Sequence, residues 1–309
     1  MKAILSLSSV LLALKLCSGE WCYQSQLSCN HTCEGPSEWK INYTNCGGQK
    51  QSPINIITSR VKYDPKLTSF IFDGHMDAFN MRVENHGHSA HFTLPPSTHL
   101  SGGGLKGKYK AVQFHLHWGE NGSQGSEHSV DGERYPMELH IVYIREEYIN
   151  LTEALKNSTG VAALAFFFEV TAVQNQKFDR IIEALKKVRH ENTSSEVENF
   201  KLTDIIPPIN SLKYYRYSGS LTTPSCEEAV LWTVFQQTIR ISKKQMESMD
   251  KLLLFGTDKP MAGIFRPVQN LNERVVYTSV LAHSLCVLPN LITLILCLFC
   301  VFGQHGCFH

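Results

Sequence analysis

The chain has 309 residues, with 29 Lys and Arg against 28 Asp and Glu, a formal net charge of +1. That balance gives no electrostatic reason to expect a nucleic-acid partner. A hydrophobic share of 43% with 18% charged residues excludes a disordered chain, and 20 Gly and 12 Pro exclude collagen-like or linker material.

At the start, Met1-Lys2 precedes an apolar run from Ala3 to Leu16 that is broken only by serines and Lys15. Cys17-Ser18-Gly19 then places small residues before Glu20, so residues 1–19 are expected to be a secretory signal. Secretion agrees with six N-glycosylation sequons, at Asn30, Asn42, Asn121, Asn150, Asn157 and Asn192. It also agrees with the cysteines. Cys17 leaves with the signal, and Cys286, Cys297, Cys300 and Cys307 lie in an apolar tail. Cys22, Cys29, Cys33, Cys46 and Cys226 remain, enough for two disulfides with one thiol over.

The middle of the chain shows no linker, and residues 20–279 are expected to form a single domain. Apolar, β-branched runs predict strands at Val112–Trp118, Glu138–Ile144, Val161–Val170 and Ala229–Phe235. The third lacks polar alternation until Glu169, which predicts burial on both faces. Between the last two, Phe178, Ile181, Ile182, Leu185 and Val188 recur at helical spacing. Ser242 can cap a second helix with Met246, Met249 and Leu253 inward. Long strands and few helices predict an α+β, sheet-dominated domain. The chain closes with Leu285–Phe302, a stretch free of charge but containing Pro289 and Asn290, with no Lys or Arg after it.

The chemistry starts from histidine. His86-Gly-His88 and His115-Leu-His117 each put two imidazoles two residues apart. On a strand such residues share a face and can grip one ion. His140, in the next predicted strand, can return as a third ligand. Three imidazoles with a fourth position open fit a hydrolytic or hydrating zinc site, and satisfied core histidines are the alternative. Gln113 and Glu138, each two residues before a candidate ligand, can accept the hydrogen bond that sets its tautomer. A phosphate loop at Gly102–Lys108 is incomplete, because Tyr109 stands where Ser or Thr is required.

With these stretches in place the chain resembles the alpha-class carbonic anhydrases. The resemblance rests on Gln51–Ile56 (QSPINI), Asn85–His88 (NHGH), Gln113–Gly119 (QFHLHWG), Gly125–Asp131 (GSEHSVD), Glu138–Val142 (ELHIV) and Gly219–Pro224 (GSLTTP), in that order. It implies that family's fold: a large twisted, mostly antiparallel sheet with a few peripheral helices. The activity it implies is reversible hydration of CO2 to bicarbonate and a proton, by attack of hydroxide generated at one Zn2+ held by His115, His117 and His140. It makes Thr222, with its partner Glu127, the orienting pair and His88 the proton shuttle. It assigns Val142, Ala163, Leu221, Thr222, Thr223, Val230 and Trp232 to the substrate pocket. Non-catalytic relatives on this fold lack one or more of the zinc histidines, all of which are present here.

Trp21-Cys-Tyr23, Cys46, Cys226 and the apolar tail are similar to the family's membrane-anchored branch. That likeness implies Cys46–Cys226 and Cys22–Cys33 disulfides, with Cys29 free or competing for Cys22. It also implies a glycosylphosphatidylinositol (GPI) anchor at Ser279, or at Ser284, with residues 280–309 discarded. The enzyme is then expected on the outer face of the plasma membrane, a single-pass protein being the alternative. It is expected to be monomeric, with bicarbonate transporters as candidate partners.

Overall fold

The four apolar runs form the centre of one large sheet. The structure is a computed structural model that describes residues 21–29, 33–256 and 258–281. The expected signal, Asn30, Ser284 and the apolar run from Leu285 lie outside the described residues, as does the side chain of Cys29. The chain divides into two units, Met1–Ser279 and Val280–His309.

Among the described residues, 13 strands join in the main sheet. Its central path runs Ala90–Thr93, Tyr109–Trp118, Met137–Arg145, Val161–Thr171, Val230–Phe235 and Tyr214–Gly219. Pairing along this path is antiparallel except between Val161–Thr171 and Val230–Phe235. The mostly antiparallel, sheet-dominated class expected from the sequence is the one observed.

Side-chain alternation sorts each central strand into two cores. From the Val161–Thr171 strand, Ala162, Leu164, Phe166 and Phe168 enter one hydrophobic cluster, and Val161, Ala163, Ala165 and Phe167 enter the other. This explains the absence of polar alternation: both faces of the strand are covered. In the neighbouring Met137–Arg145 strand, Leu139, Ile141 and Tyr143 join the first cluster and Val142 and Ile144 the second. Glu138 and His140 share the parity of Val142, so they point to the second side and are fully covered there.

Helices lie outside this frame. The spacing noted around Phe178–Val188 forms the helix Asp179–Lys186, which buries Ile181, Ile182, Ala184 and Leu185. Phe178 and Val188 are buried just beyond its ends. Ser242 caps the helix Lys243–Met249 in a capping box: its side chain accepts from the Gln245 amide, and the Gln245 side chain accepts from the Ser242 amide.

Among the described residues two disulfides form, Cys22–Cys33 and Cys46–Cys226. The second spans 180 residues and the first 11. Constraint of the unfolded chain by loops of these lengths stabilises by about 5 and about 3 kcal/mol in the chain-entropy description.

The layered core generates a stability prediction. Leu164 is fully buried between flanking strands, whereas Val173 is largely exposed. Leu164→Ala should lower unfolding free energy by about 2–5 kcal/mol in denaturant melts. Val173→Ala should change it by under about 0.5 kcal/mol. Equal costs at the two positions would contradict the two-core description.

Candidate metal centre

Register brings the three histidines together. His115 and His117 lie two residues apart on the Tyr109–Trp118 strand, and His140 sits directly opposite His115 on the adjacent antiparallel strand. One ring nitrogen from each of the three lies within 4.8 Å of the others. His117 and His140 are almost wholly buried, and His115 is half-buried.

Each ring is fixed by an acceptor behind it. His115 Nδ1 donates to Gln113 Oε1 at 2.9 Å, and His117 Nδ1 to the Ile264 carbonyl at 2.8 Å. His140 Nε2 donates to Glu138 Oε1 at 2.7 Å. A carboxylate or carbonyl oxygen can only accept, so these bonds assign the proton on every ring. The lone pairs left are on Nε2 of His115, Nε2 of His117 and Nδ1 of His140. For His115 and His117, electrostatics agree with a neutral ring. Burial, followed by the neighbouring imidazoles, holds His115 well below the usual range, and burial likewise lowers His117 despite the nearby Glu127.

Glu138 is the hub behind the ligands. Its Oε2 accepts from the backbone amides of Glu127 and His128 at 2.8 and 2.9 Å. Its Oε1 accepts from His128 Nδ1 at 2.6 Å as well as from His140. Burial raises its pKa, but its interactions with His128 and His140, hydrogen bonds among them, outweigh burial and hold it well below the carboxylate range. His128, Glu138 and His140 also cluster closely enough to hold an ion. Both carboxylate oxygens are already engaged, so that group is a hydrogen-bonded network.

The donor set fits a zinc-type cation. His117 Nε2 is buried without a hydrogen-bond partner, and so is Glu127 Oε2, 3.4 Å away. With the His117 proton on Nδ1, two electron-rich atoms face each other across this gap. A cation at the three nitrogens relieves that arrangement, and three neutral imidazoles are the ligand set of an open zinc site.

Glu127 Oε1 accepts from the Arg266 amide at 2.7 Å. The hydrogen bond expected between Thr222 and Glu127 is not made, because Oε2 is turned toward the imidazoles, 3.4 Å from His117 Nε2 and 3.9 Å from His140 Nδ1. Thr222 is buried, in the turn after the Tyr214–Gly219 strand, and Thr223 is half-buried.

Beside the histidines runs an apolar row. Val142 pairs with Ala163, and Ala163 pairs with Trp232, across three successive strands. Val230 joins them in the same cluster, with Leu221 packed against it. The Trp232 ring stands 4.7 Å from the His140 ring, and its Nε1 donates to the Ser220 carbonyl at 2.9 Å, tying the Thr222 turn to the sheet.

His88 packs its ring on Trp21 at 4.2 Å, and burial followed by the charge of His86 lowers it to about 4. His91 is brought closer to the ligands. It lies opposite His115 in register, with ring centroids 5.2 Å apart, and touches the exposed His86 at 4.8 Å. The segment around Ile264 and Arg266 escaped sequence reasoning, although it supplies an acceptor to His117 and a donor to Glu127. Its contribution comes from backbone atoms in an irregular stretch, which carry no residue signature.

Removing one of the buried acceptors should weaken metal binding without removing a ligand. Glu138→Gln replaces one acceptor oxygen with an NH2 group that faces N–H donors. Competition with a chelator should show affinity for Zn2+ falling about 10–100-fold. Unchanged affinity would remove Glu138 from the account.

A family model of eukaryotic-type carbonic anhydrases matches residues 34–280. Carbonic anhydrase 4 of Oryctolagus cuniculus is 38% identical over 295 residues, covering 94% of this chain and 94% of that protein. Carbonic anhydrase 12 of Homo sapiens is 36% identical, covering 84% of this chain and 74% of its own, and carbonic anhydrase 6 of Bos taurus is 35% identical, covering 79% and 77%. With these likenesses spanning nearly all of the sheet described above, the chain belongs to the eukaryotic-type carbonic anhydrases, enzymes that interconvert CO2 and bicarbonate.

Proposed function

We propose that this enzyme hydrates CO2 at a single Zn2+ held by His115, His117 and His140, on the outer face of the plasma membrane. The observation that carries the metal assignment is the convergence of three neutral imidazoles, each fixed from behind by an acceptor. Zn2+, when bound there, supplies the Lewis acidity that makes water a nucleophile near neutral pH.

The remaining roles belong to the chain. Thr222 accepts a hydrogen bond from the attacking water, and turning Glu127 Oε2 to accept from Thr222 would fix the direction of attack. That oxygen has no hydrogen-bond partner, which leaves it open to accept and supports the role. CO2 is small and apolar, and Val142, Ala163, Leu221, Val230 and Trp232 offer it an apolar wall beside the ligands, with Thr223 at its edge. Ala163 leaves the pocket slightly wider than a larger residue would.

Proton export falls to His88, an imidazole half-buried at Trp21 on the side of the ligands that carries His86 and His91. His86 and His91, in ring contact with each other and on to His115, are the second candidates.

Anchoring through a GPI lipid at Ser279 is supported by the place of that residue. It is the last of the first unit, where its amide and hydroxyl bond the carbonyl and amide of Tyr214 on the sheet. The disulfides agree with a secreted, oxidising environment. Asn42, Asn121, Asn150, Asn157 and Asn192 are all exposed and open to glycosylation. On that surface a monomer supplies bicarbonate to transporters, or draws on it from them.

Stopped-flow CO2 hydration with zinc analysis on the same sample tests the catalytic roles. His140→Ala should lose both metal and nearly all rate, because two imidazoles no longer hold zinc tightly. Thr222→Ala should keep the zinc and lose rate about 10²-fold or more. His88→Ala should slow turnover only in weak buffer, with recovery on adding imidazole. Zinc-loaded wild type no faster than buffer would falsify the assignment.

Localisation has its own test. Phosphatidylinositol-specific phospholipase C should release active enzyme from intact cells. Retention after treatment, with the residues after Phe302 detected inside the cell, would favour a single membrane span.

A further inference from the structure

Away from the metal centre, beside the Tyr214–Gly219 strand, a cavity of about 1010 Å³ is lined by four cations and two acids. The cations are Lys50, Lys66, Arg216 and Arg274, and the acids are Asp64 and Glu273. Its size is that of a small-molecule site.

Arg216 sets it apart from an ordinary charged surface. This residue is only 5% exposed. Its Nε and Nη2 donate to Thr233 Oγ1, and Nη2 also donates to the Gly103 carbonyl at 2.9 Å. The guanidinium lies over the rings of Phe70 and Tyr214 at 5.7 and 5.5 Å. Among the described residues it makes no ion pair, and Nη1 makes no hydrogen bond. Burial pulls the group down to about 10, and the charges of Tyr214, Tyr109 and Asp64 recover only part of that loss. A buried cation without a carboxylate partner is costly, and an anion in the adjoining space offsets that cost.

The other charged groups decide what kind of anion. Arg274 is largely committed to the protein, donating to the carbonyls of Leu271, Ser218 and Asn270. Lys50 and Lys66 are exposed at the rim. Asp64 accepts from the Lys66 amide, and Glu273 is exposed. A buried guanidinium on the wall with one uncommitted nitrogen, Nη1, and flexible lysines at the mouth suit a compact tetrahedral oxyanion, to which each supplies a donor and a positive charge.

We propose that this cavity is an anion site for a phosphate group, with Arg216 as its buried anchor and Lys50 and Lys66 at its mouth. Nothing in the metal centre or in the CO2 wall is used by it. Tyr277, two residues before Ser279, lines the same cavity. The phosphate can therefore come from solution or from a lipid headgroup, and the two sources are separable by experiment.

Titration calorimetry with inorganic phosphate, on the intact enzyme and on its His115→Ala/His117→Ala variant, tests the site. Saturable binding should survive in that variant, since the cavity does not depend on the metal centre. Arg216→Gln should weaken phosphate binding roughly ten-fold or more, and Lys66→Gln by a few-fold with a shallower salt dependence. Lys66 is exposed, so its variant keeps the test valid even if Arg216→Gln unfolds. Competition by phosphate against vesicles containing phosphatidylserine, with no binding to phosphatidylcholine vesicles, would identify the lipid headgroup as the source. Phosphate binding without vesicle binding would identify a soluble one. Absence of saturable phosphate binding, its loss in the metal-ligand variant, or indifference to Lys66→Gln overturns the proposal.

Discussion

The candidate site depends on one buried carboxylate. Glu138 accepts four hydrogen bonds, from two imidazoles and two backbone amides, in a place that water does not reach. Charge-assisted bonds of this kind contribute about 1.5–3 kcal/mol each, which is how an ionised group is tolerated there. The same four bonds set the His140 tautomer and pin the turn that carries Glu127. Through His128 the network reaches the Tyr217 hydroxyl at 2.7 Å and then Ser52 Oγ at 2.9 Å. One acidic side chain therefore couples a candidate metal ligand, the carboxylate facing it and the strand that leads to Thr222.

That coupling is possible because of the sheet. A strand covered on one face only would leave Glu138 and His140 in water, where a carboxylate and an imidazole hydrogen-bond the solvent instead. Here the second cluster covers them, and the same parity that buries them aligns Val142, Ala163 and Trp232 beside them. Polar ligands and apolar wall are successive positions on one pleated face. The arrangement lets the proposed hydrating centre and the proposed CO2 wall share a small area.

Much of this was legible in the chain itself. The run at Val161–Val170 has the composition of a doubly covered strand, and it pairs with the run at Glu138–Ile144. The two-residue step from His115 to His117 already implied a shared face. Only register places His140 opposite His115, and composition says nothing about register across a connection of that length. The Ile264 carbonyl and the Arg266 amide were invisible for a different reason: a main-chain atom in an irregular segment has no residue identity to read. The orientation of Glu127 depends on rotamer, which lies below what spacing can convey. His86 and His91 flank the candidate shuttle His88 in the sequence, but only pairing with His115 places His91 against the candidate ligands.

The metal-binding role of these three histidines is tested most directly by X-ray absorption at the zinc edge, on purified enzyme of measured zinc content. Convergent neutral imidazoles predict about one Zn2+ per chain with three nitrogen ligands of imidazole type and one further light atom. Sulfur ligation, or a zinc signal unchanged when His115, His117 and His140 are replaced, would contradict it.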